Sequence, residues 1–300
     1  MTSQKTVSIL SVPFDLGAGR RGVDLGPNAI LQAGLKRRIA NLGIDYILEG
    51  EVATPKSAPG GTSHHLKNLE EVIELNIRLA AHVASIVEKG SFPLILGGDH
   101  SIAIGTLAGL AQHYKNLGVI WFDAHSDLNT EDTSPSGNIH GMSLAVGLGI
   151  GHPRLTQIRT TGYLLKPEHV VIIGARHLDK GEKEYINASG VTCFTMHDID
   201  RMGMGQVIEK ALHILKNKTD GIHLSFDVDS LDPLEAPGTG TPVKGGVSYR
   251  EAHFALELLH ESGLITSAEF VEVNPTLDSE NKTALLAVEL VASLLGKQIL

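Results

Sequence analysis

WFDAHSDLN, residues 121–129, closes an apolar, strand-like run (VIWF) with Asp123, His125 and Asp127. Three side chains of metal-ligating type follow one another at two-residue intervals where a buried strand stops. The run before them is continuous and β-branched rather than alternating, the pattern of a parallel strand covered on both faces. In an open parallel α/β sheet, sites form at the carboxyl ends of strands, where loops converge. The stretch therefore predicts both a fold and the end of the fold at which to look.

Seven further runs have the same character: TVSILSVP, DYILEGEV, FPLILGGD, HVVIIGAR, VTCFTM, IHLSFDVD and ITSAEFVEVN. Between them lie helix-period segments. Ala252, Ala255, Leu256 and Leu259 form one stripe within Tyr249–Glu261, and Leu286, Leu290, Val291, Leu294 and Leu295 form another. This β-α alternation, without a linker or an internal repeat, predicts an α/β fold. The expectation is a single three-layer αβα domain over residues 1–300, with a mostly parallel, roughly eight-stranded sheet. Pro55–Gly61 and Asn129–Asn138 read as loops.

Composition narrows the function. The chain has 300 residues, 42% of them hydrophobic and 20% charged, as in ordinary soluble globular proteins. A formal charge of −9 argues against a nucleic-acid or anionic-membrane surface and suits a small cationic substrate. The single cysteine, Cys193, excludes an intramolecular disulfide and a thiolate zinc site, and reads as a small buried hydrophobe. The N-terminal apolar stretch is too short and interrupted for a signal peptide, and nothing approaches a membrane span, so a cytoplasmic protein is expected.

Four strand ends carry the chemistry: Asp99 and His100; Asp123, His125 and Asp127; Asp227, Asp229 and Asp232; Glu269, Glu272 and Asn274. A lone acid at such a place is usually a helix N-cap, and that reading suits Asp99 and Asp232. A lone histidine is usually structural, which suits His64, His82, His113, His213, His253 and His260 among the 15 present. The two-residue spacing points Asp123, His125 and Asp127 one way, and likewise Asp227 and Asp229. Carboxylates facing one cleft repel unless cations lie between them. Two imidazoles and four carboxylates exceed the needs of one ion, whereas two divalent ions about 3.5–4 Å apart can share bridging Asp side chains. Oxygen-rich ligation with some imidazole suits Mn²⁺ better than Zn²⁺.

GGDHS (97–101), DAHSDLN (123–129), SGNIHG (136–141), SFDVDSLDP (225–233), GTGTPVKGG (238–246) and EFVEVNP (269–275) together resemble the ureohydrolase family. The resemblance covers nearly the whole chain and is nearest to the bacterial branch that hydrolyses L-arginine to L-ornithine and urea. It implies an enzyme, a hydrolase acting on linear amidines, with two Mn²⁺ per chain and a metal-bridging hydroxide. One ion would be held by His100, Asp123, Asp127 and Asp227. The other would be held by His125, Asp123, Asp227 and Asp229, with Asp123 and Asp227 bridging. Asp127 would also accept the proton of the hydroxide, His140 would shuttle protons, and Glu272 would receive the guanidinium, with Thr241 lining the same pocket. Asn129, Ser136 and Asn138 would contact the α-carboxylate, and Asp179 and Glu182 the α-amino group. The family also implies a homo-hexamer, a dimer of trimers, with Arg250 and Glu251 at contacts.

Other readings stand beside these. SGNIHG can be a simple turn, although its place among the other motifs suits a substrate mouth. Asp179 can cap the helix that follows it, and the acids of HDID (197–200) read as caps before a helix at Arg201. His140, in a polar stretch without periodicity, is expected near solvent. A sister enzyme acting on agmatine or guanidinobutyrate would share all six metal ligands and differ at the Asn129/Ser136/Asn138 loop. A non-enzymatic metal-binding protein on the same fold would not need His140 and Glu272. Lys244, in TPVKGG, has no role in these readings.

Overall fold

The computed structural model describes residues 6–56, 66–158 and 164–297. Each of the eight apolar runs forms a strand: β1 Val7–Val12, β2 Tyr46–Glu51, β3 Phe92–Gly97, β4 Leu117–Phe122, β5 Val170–Ala175, β6 Thr192–Thr195, β7 Gly221–Asp227 and β8 Ile265–Val271. They make one sheet in the order β2-β1-β3-β8-β7-β4-β5-β6, and every neighbouring pair is parallel.

Because side chains alternate across a strand, a strand buried on both faces must feed two cores. Leu94, Leu96, Ile120, Phe122, Val171 and Ile173 pack on one side, against helices Met204–Leu215, Tyr249–Ser262 and Lys282–Leu294. Ile95, Val119, Trp121, Val170 and Ile172 pack on the other, against helices Leu69–Glu88 and Ala103–Leu110. The result is the expected three-layer α/β arrangement. Both predicted helical stripes are buried as read, and Tyr249–Ser262 starts at a Ser248/Glu251 capping box and ends at Gly263 with φ 64°. Full burial fails at β2 and β6, which as sheet edges have one neighbour each and are half-exposed.

In β7 only one face is apolar. Ile222, Leu224 and Phe226 enter the first core, where the Phe226 ring lies 5.0 Å from Phe122 and 5.2 Å from Phe270. The alternate residues His223 and Ser225 are polar and fully buried.

Strands β3 and β4 are consecutive in the chain but separated in the sheet by β8 and β7. The connections at their carboxyl ends therefore diverge and leave a crevice, the usual ligand position in such sheets. Asn129–Asn138 is a loop as expected, while residues 57–61 of the other predicted loop lie outside the described residues.

Candidate metal and substrate site

The chain turns the same way at three of these strand ends. Asp99 Oδ1 accepts Ser101 N–H at 2.9 Å, Asp123 Oδ1 accepts His125 N–H at 2.7 Å, and Asp227 Oδ1 accepts Asp229 N–H at 2.7 Å. In each, an acid satisfies the amide two residues on and bends the backbone over the strand end. The ligand-type side chains are therefore aligned by these turns. The two-residue spacing predicts alignment by strand pleat, but β4 stops at Phe122 and β7 at Asp227, before most of them. Gly98 makes room for the turn after β3, since a Cβ there would stand 1.7 Å from Phe14 O. Asp127 (φ 50°) and Glu272 (φ 65°) occupy the left-handed region that non-glycine residues seldom adopt.

His100 Nδ1 lies 3.2 Å from each of Asp123 Oδ2, Asp127 Oδ2 and Asp227 Oδ2. His125 Nδ1 lies 3.4 Å from Asp123 Oδ1 and 3.1 Å from Asp229 Oδ2. Asp123 thus serves both groups, one oxygen to each. Asp227 meets the His100 group through Oδ2, while its Oδ1 holds the backbone of Asp229.

A ring nitrogen carries one proton or one lone pair, so it cannot bond three carboxylates at once. His100 Nδ1 is buried with no hydrogen-bond partner, yet three oxygens surround it at equal distance. That arrangement fits a point occupied by a cation. Among the described residues, His100/Asp123/Asp227 and Asp123/His125/Asp229 each bring ligand atoms close enough to share an ion. In the metal-free protein the acids repel one another and the imidazoles are held charged by them. Burial, reinforced by Asp123, pushes Asp127 up to about 7. Burial opposes charge on His125, but Asp229 and Asp123 outweigh it and raise the imidazole to about 12.

The cluster opens into a cleft of about 130 Å³ lined by Asn129, Ser136, Asn138, His140, Asp179, Glu182 and Thr241, together with His125, Asp127, Asp227 and Asp229. Thr241 Oγ1 donates to Asp229 Oδ2 at 2.8 Å. Asn129 Nδ2 donates to Asp179 Oδ2 at 2.8 Å and its Oδ1 accepts from Thr133 Oγ1, so its amide braces the rim. Asp179 and Glu182 do form a helix capping box before Lys180–Ser189, as the alternative reading had it, yet both also face the cleft. Glu182 Oε1 is engaged by Ser126 Oγ and Leu128 N–H. Lys67 Nζ holds Asn138 Oδ1 at 3.0 Å.

His140 and Glu272 are closer partners than their motifs suggested. Glu272 is buried, and its Oε1 accepts His100 N–H at 2.9 Å and meets His140 Nδ1 at 3.0 Å. His140 lies in a short 3-10 helix, Ile139–Met142, with its side chain 16% exposed, so it is more enclosed than the polar stretch implied. The glutamate favours the imidazolium by its charge and by accepting from Nδ1.

Other expectations resolve simply. Asp99 and Asp232 cap and brace turns, and Asp198 of HDID caps through Thr195, with the helix starting at Met196 rather than Arg201. His253 and His260 bond Ser293 Oγ and Leu294 O as structural residues, while His64 lies outside the described residues. Glu251 caps its own helix and Arg250 pairs with Glu257. Lys244 is exposed, and nothing in the structure explains it. Sequence reading missed two residues. His177 lies edge-on to His125 with ring centroids 5.4 Å apart and lines the cleft. Arg176 binds the carbonyls of Gly174, Asp229, Ser230, Leu231 and Val243, fixing the loop that carries Thr241. A cation ending a buried strand was its only signal.

An all-parallel α/β sheet with a buried imidazole–carboxylate cluster at its switch point defines a metal-binding hydrolase scaffold. The arginase family model matches residues 5–296, and the chain belongs to that family. It is 57% identical to the arginase of Bacillus subtilis over 296 residues, covering 99% of each chain. It superposes on the native structure of Bacillus caldovelox arginase with TM-score 0.96 at 55% identity, covering 99% of this chain and all of that one. The arginase of Entamoeba histolytica, solved with L-ornithine bound, gives TM-score 0.91 at 34% identity, covering 98% and 99%. Among the described residues, no helix is long and apolar enough to cross a membrane.

Proposed function

We propose that this arginase-family hydrolase cleaves the guanidinium of L-arginine, giving L-ornithine and urea, with two Mn²⁺ ions held around the two side-chain groups by the ligand sets that the family resemblance implies. His100, Asp123, Asp127 and Asp227 would hold one ion and His125, Asp123, Asp227 and Asp229 the other. The observation that carries the reading is one cleft joining that cluster to a rim of Asn129, Ser136, Asn138 and Asp179. The cluster suits a cationic head, and the rim suits the charged groups of an amino acid. Bound divalent ions supply the positive charge that neutralises the acids and acidify water near neutral pH.

The remaining work falls to side chains. Glu272 receives the guanidinium on the oxygen facing Gly240, where an added Cβ would stand 3.9 Å from Oε2. A charge pair in that buried position orients the substrate carbon over the cluster. Asp127, whose Oδ2 borders the His100 group and whose side chain lines the cleft, is placed to take a proton and pass it to the departing amine. His140 carries protons between the cleft and solvent. Asn129, Ser136 and Asn138 meet the α-carboxylate, and Asp179 and Glu182 the α-amino group. The chain would work as a cytoplasmic homo-hexamer of one 1–300 domain, a reading supported by family likeness.

The test is urea release by Mn²⁺-loaded protein with L-arginine beside agmatine. Arginine should be strongly preferred, because agmatine leaves the polar rim unpaired. Equal turnover would make the protein a broader guanidino hydrolase, and no urea from either would overturn the reading.

A further inference from the structure

Beneath the cluster a buried polar chain crosses three adjacent strands. Register places Trp121 of β4 beside Ser225 of β7, and Ser225 beside Glu269 of β8. One step down, His223 of β7 pairs with Ser267 of β8. His223, Ser225, Ser267 and Glu269 are all fully buried. A carboxylate at the centre of a sheet is costly unless it is paired and hydrogen-bonded, and apolar residues would fill this layer with less difficulty.

The bonds have a direction. Ser225 Oγ donates to Glu269 Oε1 at 2.7 Å, and His100 Nε2 lies 2.8 Å from the same Ser225 Oγ. A hydroxyl has one proton, and an ionised carboxylate only accepts. With its proton committed to Glu269, Ser225 must accept from His100, so Nε2 carries the hydrogen. Nδ1, 3.2 Å from Asp123, Asp127 and Asp227, is then the nitrogen free to offer a lone pair. His223 stands beside Glu269, its Nε2 3.4 Å from Oε1 without a hydrogen bond, while its Nδ1 lies 2.9 Å from Ser267 Oγ. The ring plane is fixed separately. His100 stacks on Trp121 at 4.1 Å and 3°, and Trp121 Nε1–H donates to Asp123 Oδ2 at 3.0 Å.

We infer that Glu269, acting through Ser225, is a positioning residue that locks His100 in its Nε2–H tautomer and presents Nδ1 to a metal ion. The inference rests on the reading of His100 as a ligand. Its effect falls first on the ion that His100 would share, because His125 meets His177 on its outer side instead.

The test compares wild type with Ser225→Ala, Glu269→Gln and the conservative Glu269→Asp, using His100→Ala to identify the site. Mn²⁺ affinity is measured by chelator competition. Ser225→Ala should weaken the His100 ion about 10–100-fold and the other less, with Glu269→Asp retaining more affinity than Glu269→Gln. With Zn²⁺ as a diamagnetic substitute, ¹⁵N-histidine spectra should show a slowly exchanging His100 Nε2–H in wild type that Ser225→Ala loses. Should Glu269→Gln fail to fold, Ser225→Ala, which removes one hydroxyl, decides alone. Unchanged affinity in Ser225→Ala, or a proton found on Nδ1 in the loaded wild type, overturns the inference. A wild type that binds no Mn²⁺ overturns the ligand reading as well, whereas two tight ions with indifferent variants overturn this inference only.

Discussion

His140 Nδ1 lies 3.0 Å from Glu272 Oε1, and that oxygen also accepts His100 N–H at 2.9 Å. One carboxylate oxygen therefore joins the proposed proton carrier to the backbone of a proposed metal ligand. Burial disfavours charge on His140, but its hydrogen bond to the Glu272 carboxylate outweighs it and lifts the imidazole to about 9. In the metal-free protein the side chain therefore holds its proton at neutral pH.

His140→Asn should retain both ions and near-normal KM while kcat falls roughly 10²-fold, the scale of a lost acid–base group. Small buffers such as imidazole should restore part of the rate. Metal analysis and kinetics together check this: a missing ion would make His140 a ligand, and an unchanged kcat a bystander.

Asp127→Asn and Glu272→Gln should separate metal binding from cation binding. The first removes an oxygen 3.2 Å from His100 Nδ1 and should lower both occupancy and turnover. A glutamine at 272 can still accept His100 N–H, so both ions should stay while transition-state binding falls by about 2–5 kcal/mol with the lost charge pair. Loss of metal from Glu272→Gln would count against its role as guanidinium acceptor.

Metal loading should release protons and tighten with pH. In the metal-free protein His125 is raised to about 12 and Asp127 to about 7, so both bind protons more readily folded than unfolded. For each, that stabilisation is complete below the unfolded value and declines as pH rises towards the folded one. The Asp127 share is lost between about 4 and 7. The His125 share declines from about 6.5 upward. Metal-free protein should thus lose stability as pH rises, while the increment given by Mn²⁺ grows. Melting curves with and without metal from pH 5 to 9 measure this, and an increment that shrinks with pH would refute it.

Phe226→Ala should cost about 3–5 kcal/mol in denaturant unfolding at fixed metal loading, because it empties the space between Phe122 and Phe270. A cost near zero would mean that this part of the core collapses around the gap.

Much of this was legible in the chain. Runs such as HVVIIGAR state burial on both faces outright, and each appears as a strand. The motif acids were found because charge ending an apolar run is conspicuous. Their alignment was attributed to pleat, since spacing alone does not separate an extended strand from a turn in which Asp123 bonds the amide of His125. The alternation in IHLSFD went unread, although polar residues at every second place in a buried strand are its mark. The seat of His140 was invisible because it depends on Glu272, 132 positions away.

The sheet order sets a sequence of events for the newborn chain. The four central strands come in pairs from early and late in the polypeptide, β3 and β4 flanking β8 and β7. Ala124 N–H reaches Asp229 Oδ1 across 105 positions. A ribosome that has made only the first two-thirds has produced His100, Asp123, His125 and Asp127, but neither Asp227 nor Asp229. Loop closure of that span is slow and entropically costly. Both side-chain groups are therefore complete only once the last third of the chain has placed β7 and β8 between strands made long before.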